Sequence, residues 1–391
     1  MEKVVIVSAA RTPVASFQGA FAALSAPKLG AVAIRAAIEK AGLTGAEIDE
    51  VIMGQVLTAG AGQAPARQAA IYGGISNSTP CLTINKVCGS GLKAVMLASD
   101  GIRLGNTTIA VAGGQENMTL APHLLENSRS GYRMGTQTIV DSMIKDGLWD
   151  PYNNFHMGTA AEICSKEFSF TREAQDAFAI DSYKKAQSAI AAGKFINEIC
   201  PVVIEGKKGN ITVDTDEEPG KAMFDKMPGL KSAFEKDGTI TAANASKIND
   251  AGAALVLMSE TEAKKRGLKP LARIVSYATF AQEPKYFTTA PVGAIKKSLD
   301  LAGLKIAEID HYEINEAFAN VTMAAQKSLE IPTEKTNLHG GAIAIGHPIG
   351  ASGARILITL VHSLQTNNLK RGLATLCIGG GEAVALIVER I

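Results

Sequence analysis

Two of the five cysteines sit in settings suited to covalent sulfur chemistry. Cys88 ends the apolar-leaning run from Thr83. Gly89-Ser90-Gly91 and a helical pattern through Leu92, Val95, Met96 and Ala98 follow it. A thiol at a helix N-terminus meets unpaired backbone N–H groups and the positive end of the macrodipole, and both favour the thiolate. The neighbouring glycines leave space for a bulky electrophile to reach the sulfur. Cys377 lies in Leu376-Cys377-Ile378-Gly379-Gly380-Gly381-Glu382, where the glycines can turn N–H groups toward an oxyanion. Taken singly, either thiol reads as readily as a small buried hydrophobe.

A base and an amide lie elsewhere in the chain. His347 is presented by the glycine-bounded loop Gly340–Gly350, and Pro348 after it biases its backbone toward extended geometry. Asn315-Glu316 follows a strand-like start, so a polar pair is aimed from a strand end; an Asx turn is the plainer reading of that pair. His156-Met157 and Ser246 fit capping and packing on local grounds. Taken together, these groups make a kit for carbon–carbon acyl transfer. A thiolate attacks an acyl thioester and holds the acyl group. The histidine takes the thiol proton, and an amide or water beside it binds a thioester oxygen. A second thiolate, Cys377, removes the α-proton of another thioester to form the attacking enolate.

The elements that position these residues form a duplication. Strand-like runs (Val4–Val7, Val51–Met53, Ile109–Ala112) alternate with helical patterns (Leu29–Ala41, Gly91–Arg103), which predicts α/β units. Residues 33–49 match 294–310 without a gap, nine of the seventeen being identical. Cys88-Gly89-Ser90-Gly91 stands opposite Gly350-Ala351-Ser352-Gly353, and Ile6-Val7-Ser8 opposite Ile274-Val275-Ser276. Gly113-Gly114-Gln115-Glu116 stands opposite Gly379-Gly380-Gly381-Glu382, which sets Cys377 against Val111 and reads both glycine runs as turns. In the second half that turn enters the strand Ala383–Val388; in the first, the corresponding strand appears only at 251–258. The chain therefore divides into a first half (1–116 and 251–268), an inserted loop domain (117–250) and a second half (269–391). The insert carries one clear helix, capped by Thr171 and running to about Ala192, and suits a lid or ligand-binding platform.

Composition narrows the function. The net charge of +1 gives no reason to expect nucleic acid or a membrane surface as partner. Five widely spaced cysteines, never in a Cys-x-x-Cys pair, argue against a disulfide framework or a zinc site. A reducing, cytoplasmic setting fits, and the apolar start at Val4–Val7 reads as a first strand rather than a signal peptide.

At Val87-Cys88-Gly89-Ser90-Gly91, Asn315-Glu316-Ala317-Phe318, Gly346-His347-Pro348 and Cys377-Ile378-Gly379-Gly380-Gly381 the sequence closely resembles the thiolase family, in its bacterial biosynthetic type. The resemblance spans essentially the whole chain. It implies two duplicated α/β halves with sheets packed in a layered αβαβα arrangement, plus the inserted loop domain. It implies reversible condensation of two acetyl-CoA to acetoacetyl-CoA and CoA, with coenzyme A thioesters as substrates, no prosthetic group and no metal. Cys88 would carry the acyl group and His347 would activate it. Cys377 would be the acid/base, Asn315 would position an oxyanion-hole water, and the N–H groups of Cys88 and Gly379 would form a second hole. Leu148, His156, Met157, Phe234 and Ser246 would bind coenzyme A, and Ala317 and Phe318 would line the pantetheine tunnel. The loop from Ala121 to Gly135 would join a homotetramer as a dimer of dimers. Three positions depart from the family: Gly220-Lys221 where an arginine is common, Lys247 where glycine is usual, and Phe287 where short-chain members carry methionine at the pocket floor. The rival readings are a degradative 3-ketoacyl-CoA thiolase of broader chain length, a β-ketoacyl synthase and a non-catalytic coenzyme A-binding subunit. Synthases lack a second catalytic thiol, so Cys377 argues against them.

Overall fold

In the computed structural model, which describes residues 2–207 and 209–391, the first half runs β1 (Val4–Arg11), α1 (Ala26–Lys40), β2 (Glu50–Gly54), α2 (Pro65–Tyr72), β3 (Cys81–Ile84), α3 (Ser90–Arg103) and β4 (Ile109–Asn117). An insert with α4 (Met157–Phe168) and α5 (Arg172–Ala191) precedes β5 (Asn249–Ser259) and the short α6 (Glu260–Lys265). The second half follows as β6 (Ala272–Ala281), α7 (Ala290–Ala302), β7 (His311–Ile314), α8 (Ala319–Leu329), α9 (Ile349–Thr366), β8 (Arg371–Ile378) and β9 (Glu382–Arg390). The insert thus holds a second helix, α4, before the one whose cap the sequence made plain.

The strands lie in the order β7-β8-β9-β6-β1-β5-β4-β2-β3. The two half-sheets meet where Val5 and Ile6 of β1 pair with Arg273 and Ala272 of β6. Helices α3 and α9 lie between the half-sheets and bury apolar side chains from both, including Ile52 and Leu255 of the first and Leu376 and Leu386 of the second. Outer layers of α1 and α2 on one side and α7 and α8 on the other complete an αβαβα stack. Every residue of α9 from Ile349 to Leu364 is buried, which accounts for its apolar character on all faces. Among the described residues no helix is long and apolar enough to cross a membrane.

The identical residues recur because they make identical local contacts. β1 and β6 each carry a bulge at the matching place, between Ile6 and Ser8 and between Ile274 and Ser276. Ser8 Oγ donates to Ala37 O at 2.5 Å, and Ser276 Oγ donates to Ser298 O at 2.7 Å. Asp49 accepts from the N–H groups of Thr108 and Ile109, and Asp310 from those of Lys370 and Arg371. Each aspartate fixes the start of a central strand.

Strand register corrects two expectations. Gly113–Glu116 is not a turn: it continues β4 and pairs with Ala251–Ala254 of β5. A Cβ on Gly113 would stand 2.0 Å from Ala253 O, so this glycine serves close strand contact. Pairing also places Cys377, opposite Ala383, in the position that Gln115, opposite Gly252, takes in the first half. Cys377 therefore matches Gln115 rather than Val111; aligning the two glycine runs had slid the comparison by four residues. The insert leaves and returns at one neck, where Asp250 accepts from the N–H groups of Met118 and Thr119 and from Thr119 Oγ1.

Helices α3 and α9 cross at sister glycines. A Cβ on Gly91 would lie 2.7 Å from Ala354 N, and one on Gly353 would lie 2.4 Å from Leu92 N. Gly353→Val should therefore force the helices apart and destabilise the fold by about 1–3 kcal/mol, read as a lower urea midpoint. A parent-like midpoint would show that the crossing tolerates a side chain.

Candidate active site

The Cys88 turn is strained and tightly tied. Val87 has φ 43°, an unfavourable conformation for a β-branched residue. Asn85 Oδ1 accepts from Val87 N at 2.9 Å, while Ser90 Oγ accepts from Lys86 N at 2.8 Å and donates to Val87 O at 2.7 Å. Lys86 Nζ pairs with the Glu382 carboxylate, which joins this turn to the start of β9. Gly89 lies against Ile378: a Cβ there would come within 2.3 Å of Ile378 Cδ1. The two cysteine-bearing segments are thus packed face to face.

The backbone N–H groups of Gly379 and of Cys88 itself favour the Cys88 thiolate. Burial nevertheless dominates and pushes the Cys88 thiol up to about 11. Cys377 is likewise raised, by burial first and by the neighbouring Cys88 charge second. The expectation of ready thiolates is corrected on this point. Desolvation outweighs the helix N-terminus, so both sulfurs are shifted toward the thiol.

His347 is buried and sits at the head of α9. Its backbone N–H donates to Asn249 Oδ1 at 2.9 Å. Nδ1 lies 2.6 Å from Ser352 Oγ, and that hydroxyl donates to Pro348 O at 2.8 Å. A carbonyl oxygen only accepts, so the serine proton is committed there and His347 Nδ1–H is the donor to Ser352. Nε2 is left with its lone pair. Burial, with the charge of Arg355 second, lowers His347 to about 3, which keeps the ring neutral. Asn315 Nδ2 stands 3.5 Å from both ring nitrogens, too long for a strong bond, and among the described residues Asn315 Oδ1 has no partner. Asn315 is no Asx turn: its N–H donates to Thr375 O and extends β7.

The two catalytic candidates at the helix heads approach through shared packing. Cys88 and Leu148 pack on the cluster of Val56, Leu57 and Ile349, two residues beyond His347. Glu116 holds that junction: its carboxylate accepts from Gly350 N at 2.9 Å, Val56 N at 3.0 Å and Leu57 N at 3.2 Å. Cys377 opens onto a second cluster with Met157, Ala317, Phe318 and Phe287.

The remaining sequence candidates form one aromatic wall. His156 stacks on Phe234 with centroids 4.8 Å apart, and its Nδ1 caps α4 by accepting from Gly158 N. Phe234 meets Phe318 edge-on at 6.0 Å, and Phe318 meets Phe287 at 6.4 Å. Ser246 N donates to Ala317 O at 2.9 Å, which seams the insert to the second half. The two departing lysines are engaged by protein: Lys221 Nζ donates to Ser16 Oγ, and Lys247 Nζ donates to Ala242 O and Ala245 O. Burial lowers Lys247 to about 8.

Sequence reasoning missed Ser352, Asn249 and Glu116. Ser352 carried a signal in standing five residues after the loop histidine, at the helix head. Asn249 and Glu116 lie far from His347 in sequence and are found only through the strand register.

Because the Cys88 thiolate is scarce near neutrality, alkylation of Cys88 by iodoacetamide should speed up about tenfold per pH unit from pH 7 to 10. A plateau below pH 9 would contradict the desolvated thiol.

Residues 4–261 match the thiolase N-terminal domain and residues 268–390 the thiolase C-terminal domain. The chain is 56% identical to an acetyl-CoA acetyltransferase of Cupriavidus necator and 51% identical to one of Pseudomonas aeruginosa, over the full length of each chain. The crystal structure of the Bacillus anthracis acetyl-CoA acetyltransferase superposes with a TM-score of 0.98 at 39% identity, covering 100% of this chain and 99% of that one. With matching sequence and fold, the chain belongs to the thiolase family.

Proposed function

We propose that this chain is an acetyl-CoA acetyltransferase that reversibly joins two acetyl-CoA into acetoacetyl-CoA and CoA through an acyl group on Cys88. The observation that carries the reading is the packing of the Cys88 turn, at a helix head of the first half, on the Cys377 strand end of the second, where Gly89 lies against Ile378.

The geometry supports a full cycle of proton transfers. His347 Nε2 takes the Cys88 proton as Sγ attacks the thioester carbon of acetyl-CoA, and the carbonyl electrons move onto oxygen. The N–H groups of Cys88 and Gly379, which favour the thiolate of this sulfur, hold that oxyanion. The adduct collapses with cleavage of the bond to CoA sulfur, and Cys377, resting as a thiol, gives its proton to the departing CoA. Cys377, now a thiolate, takes a methyl proton from a second acetyl-CoA. The enolate oxygen is held by His347 Nε2–H and by a water bound to Asn315. The enolate carbon forms the new bond to the acetyl carbon, the bond to Cys88 breaks, and the Cys88 sulfur recovers its proton from His347.

Leu148, His156, Met157, Phe234 and Ser246 form the coenzyme A platform in this reading, with Ala317 and Phe318 along the tunnel. Phe287, buried against Phe318 and Cys377, closes the floor and favours acetyl over longer acyl groups. A homotetramer is supported by the apolar side chains that the loop around residues 120–144 leaves exposed: Leu125, Tyr132, Met134 and Ile139.

Cys88→Ala should lose all labelling by radioactive acetyl-CoA. Cys377→Ala should still be labelled at Cys88 but should fail to make acetoacetyl-CoA. Labelling of the first variant, or condensation by the second, would remove the named sulfur from its role.

A further inference from the structure

The serines at the heads of α3 and α9 show what decides where the His347 proton sits. The match of Cys88–Gly91 with Gly350–Gly353 makes Ser90 the sister of Ser352, and the same spacing sets Lys86 against Pro348 and Asn85 against His347. In the first half Ser90 Oγ is engaged on both sides: it accepts from Lys86 N at 2.8 Å and donates to Val87 O at 2.7 Å. In the second half the sister of Lys86 is a proline, which has no N–H to give. Ser352 Oγ still donates to a backbone carbonyl, Pro348 O at 2.8 Å, and its accepting side meets His347 Nδ1 at 2.6 Å. The imidazole thus takes the place that a backbone amide fills in the first half.

The other polar neighbours of His347 do not choose between its ring nitrogens. Asn315 Nδ2 stands 3.5 Å from each of them. Asn249 Oδ1 reaches only the backbone N–H, at 2.9 Å. Among the described residues, Ser352 is the hydrogen-bond partner that meets one ring nitrogen alone. It is fully buried in the first turn of α9, so these protein bonds set the orientation of its hydroxyl. A neutral imidazole carries one N–H and one lone pair, and a group that fixes the first also fixes the second.

We propose that Ser352 is a positioning residue that keeps the imidazole proton on Nδ1 and so leaves Nε2 as the base for Cys88, and that Pro348 serves the same end by withholding the N–H that occupies the sister serine. The inference rests on His347 acting as proposed above. During acylation the Cys88 S–H bond breaks, its proton passes to Nε2, and the ring becomes imidazolium with Nδ1–H still held by Ser352. When the new carbon–carbon bond forms, Nε2 gives that proton back to the Cys88 sulfur. With the resting proton on Nε2 instead, the ring would have no lone pair there to begin the cycle.

In Ser352→Ala, single-turnover acetylation of Cys88 by acetyl-CoA should fall about tenfold or more, with KM for acetyl-CoA changed less than about threefold. Alkylation of Cys88 by iodoacetamide at pH 10, where base in solution forms the thiolate, should stay within about twofold of the parent. Acetylation at the parent rate, or a parallel fall in acetylation and alkylation, would overturn the inference. Pro348→Ala should slow acetylation about threefold or more by itself and add less than about twofold in the Ser352→Ala background; losses that multiply would remove the proline from its role. Should Ser352→Ala fail to fold, neutron diffraction from crystals of the parent still decides: deuterium on His347 Nδ1 with none on Nε2 is expected, and deuterium on Nε2 would overturn the inference. A parent chain unable to cleave acetoacetyl-CoA with CoA would instead overturn the reading on which it rests.

Discussion

Helices α3 and α9 touch backbone to backbone at Gly91 and Gly353, and the rest of the site depends on that contact. Each helix begins beside the other, with Cys88 standing just before α3 and His347 just before α9. No side chain intervenes at the crossing, and the approach is fixed by the close packing of two backbones rather than by flexible groups. Glu116 then ties the α9 head to the segment after β2, and Lys86 ties the α3 turn to β9. The cost of holding these elements shows in the positive φ of Val87, next to Cys88.

Burial sets the chemistry as much as position does. A thiol at a helix head would be acidic in water, yet here desolvation leaves Cys88 and Cys377 protonated and His347 neutral. The two thiols and the imidazole thus carry no charge at rest, although charged groups such as Arg355 and the Lys86–Glu382 pair stand around them. That fits a reversible reaction in which each proton passes between a sulfur, an imidazole and a leaving group of similar character. The N–H groups of Cys88 and Gly379 have no such freedom, because backbone geometry fixes them, and in the proposed cycle they would be the constant part of the site.

Much of this was legible in the residues. The duplication predicted two like halves, and matched details such as Asp49 with Asp310 and Ser8 with Ser276 show why those residues recur. The strand-end and helix-head settings of Cys88, Asn315, His347 and Cys377 were visible as apolar runs broken by glycine. What escaped was register. Glycine runs look alike whether they turn or lie flat in a sheet, so Gly113–Glu116 was read as a turn and Cys377 was set against the wrong sister residue. Burial also escaped: sequence shows a thiol near a helix dipole but not how much water is excluded around it. The partners of His347 lie on β5 and one turn into α9, and only the folded chain brings them to the ring.

The central claim is that two sulfurs from sister halves share one site. A short thiol-to-thiol cross-linker such as dibromobimane, applied to the native protein and followed by peptide mapping, tests it most directly. The account predicts one fluorescent product joining the Cys88 and Cys377 peptides, suppressed by prior acetylation with acetyl-CoA. Separate single additions at the two cysteines, with no joined peptide, would contradict it.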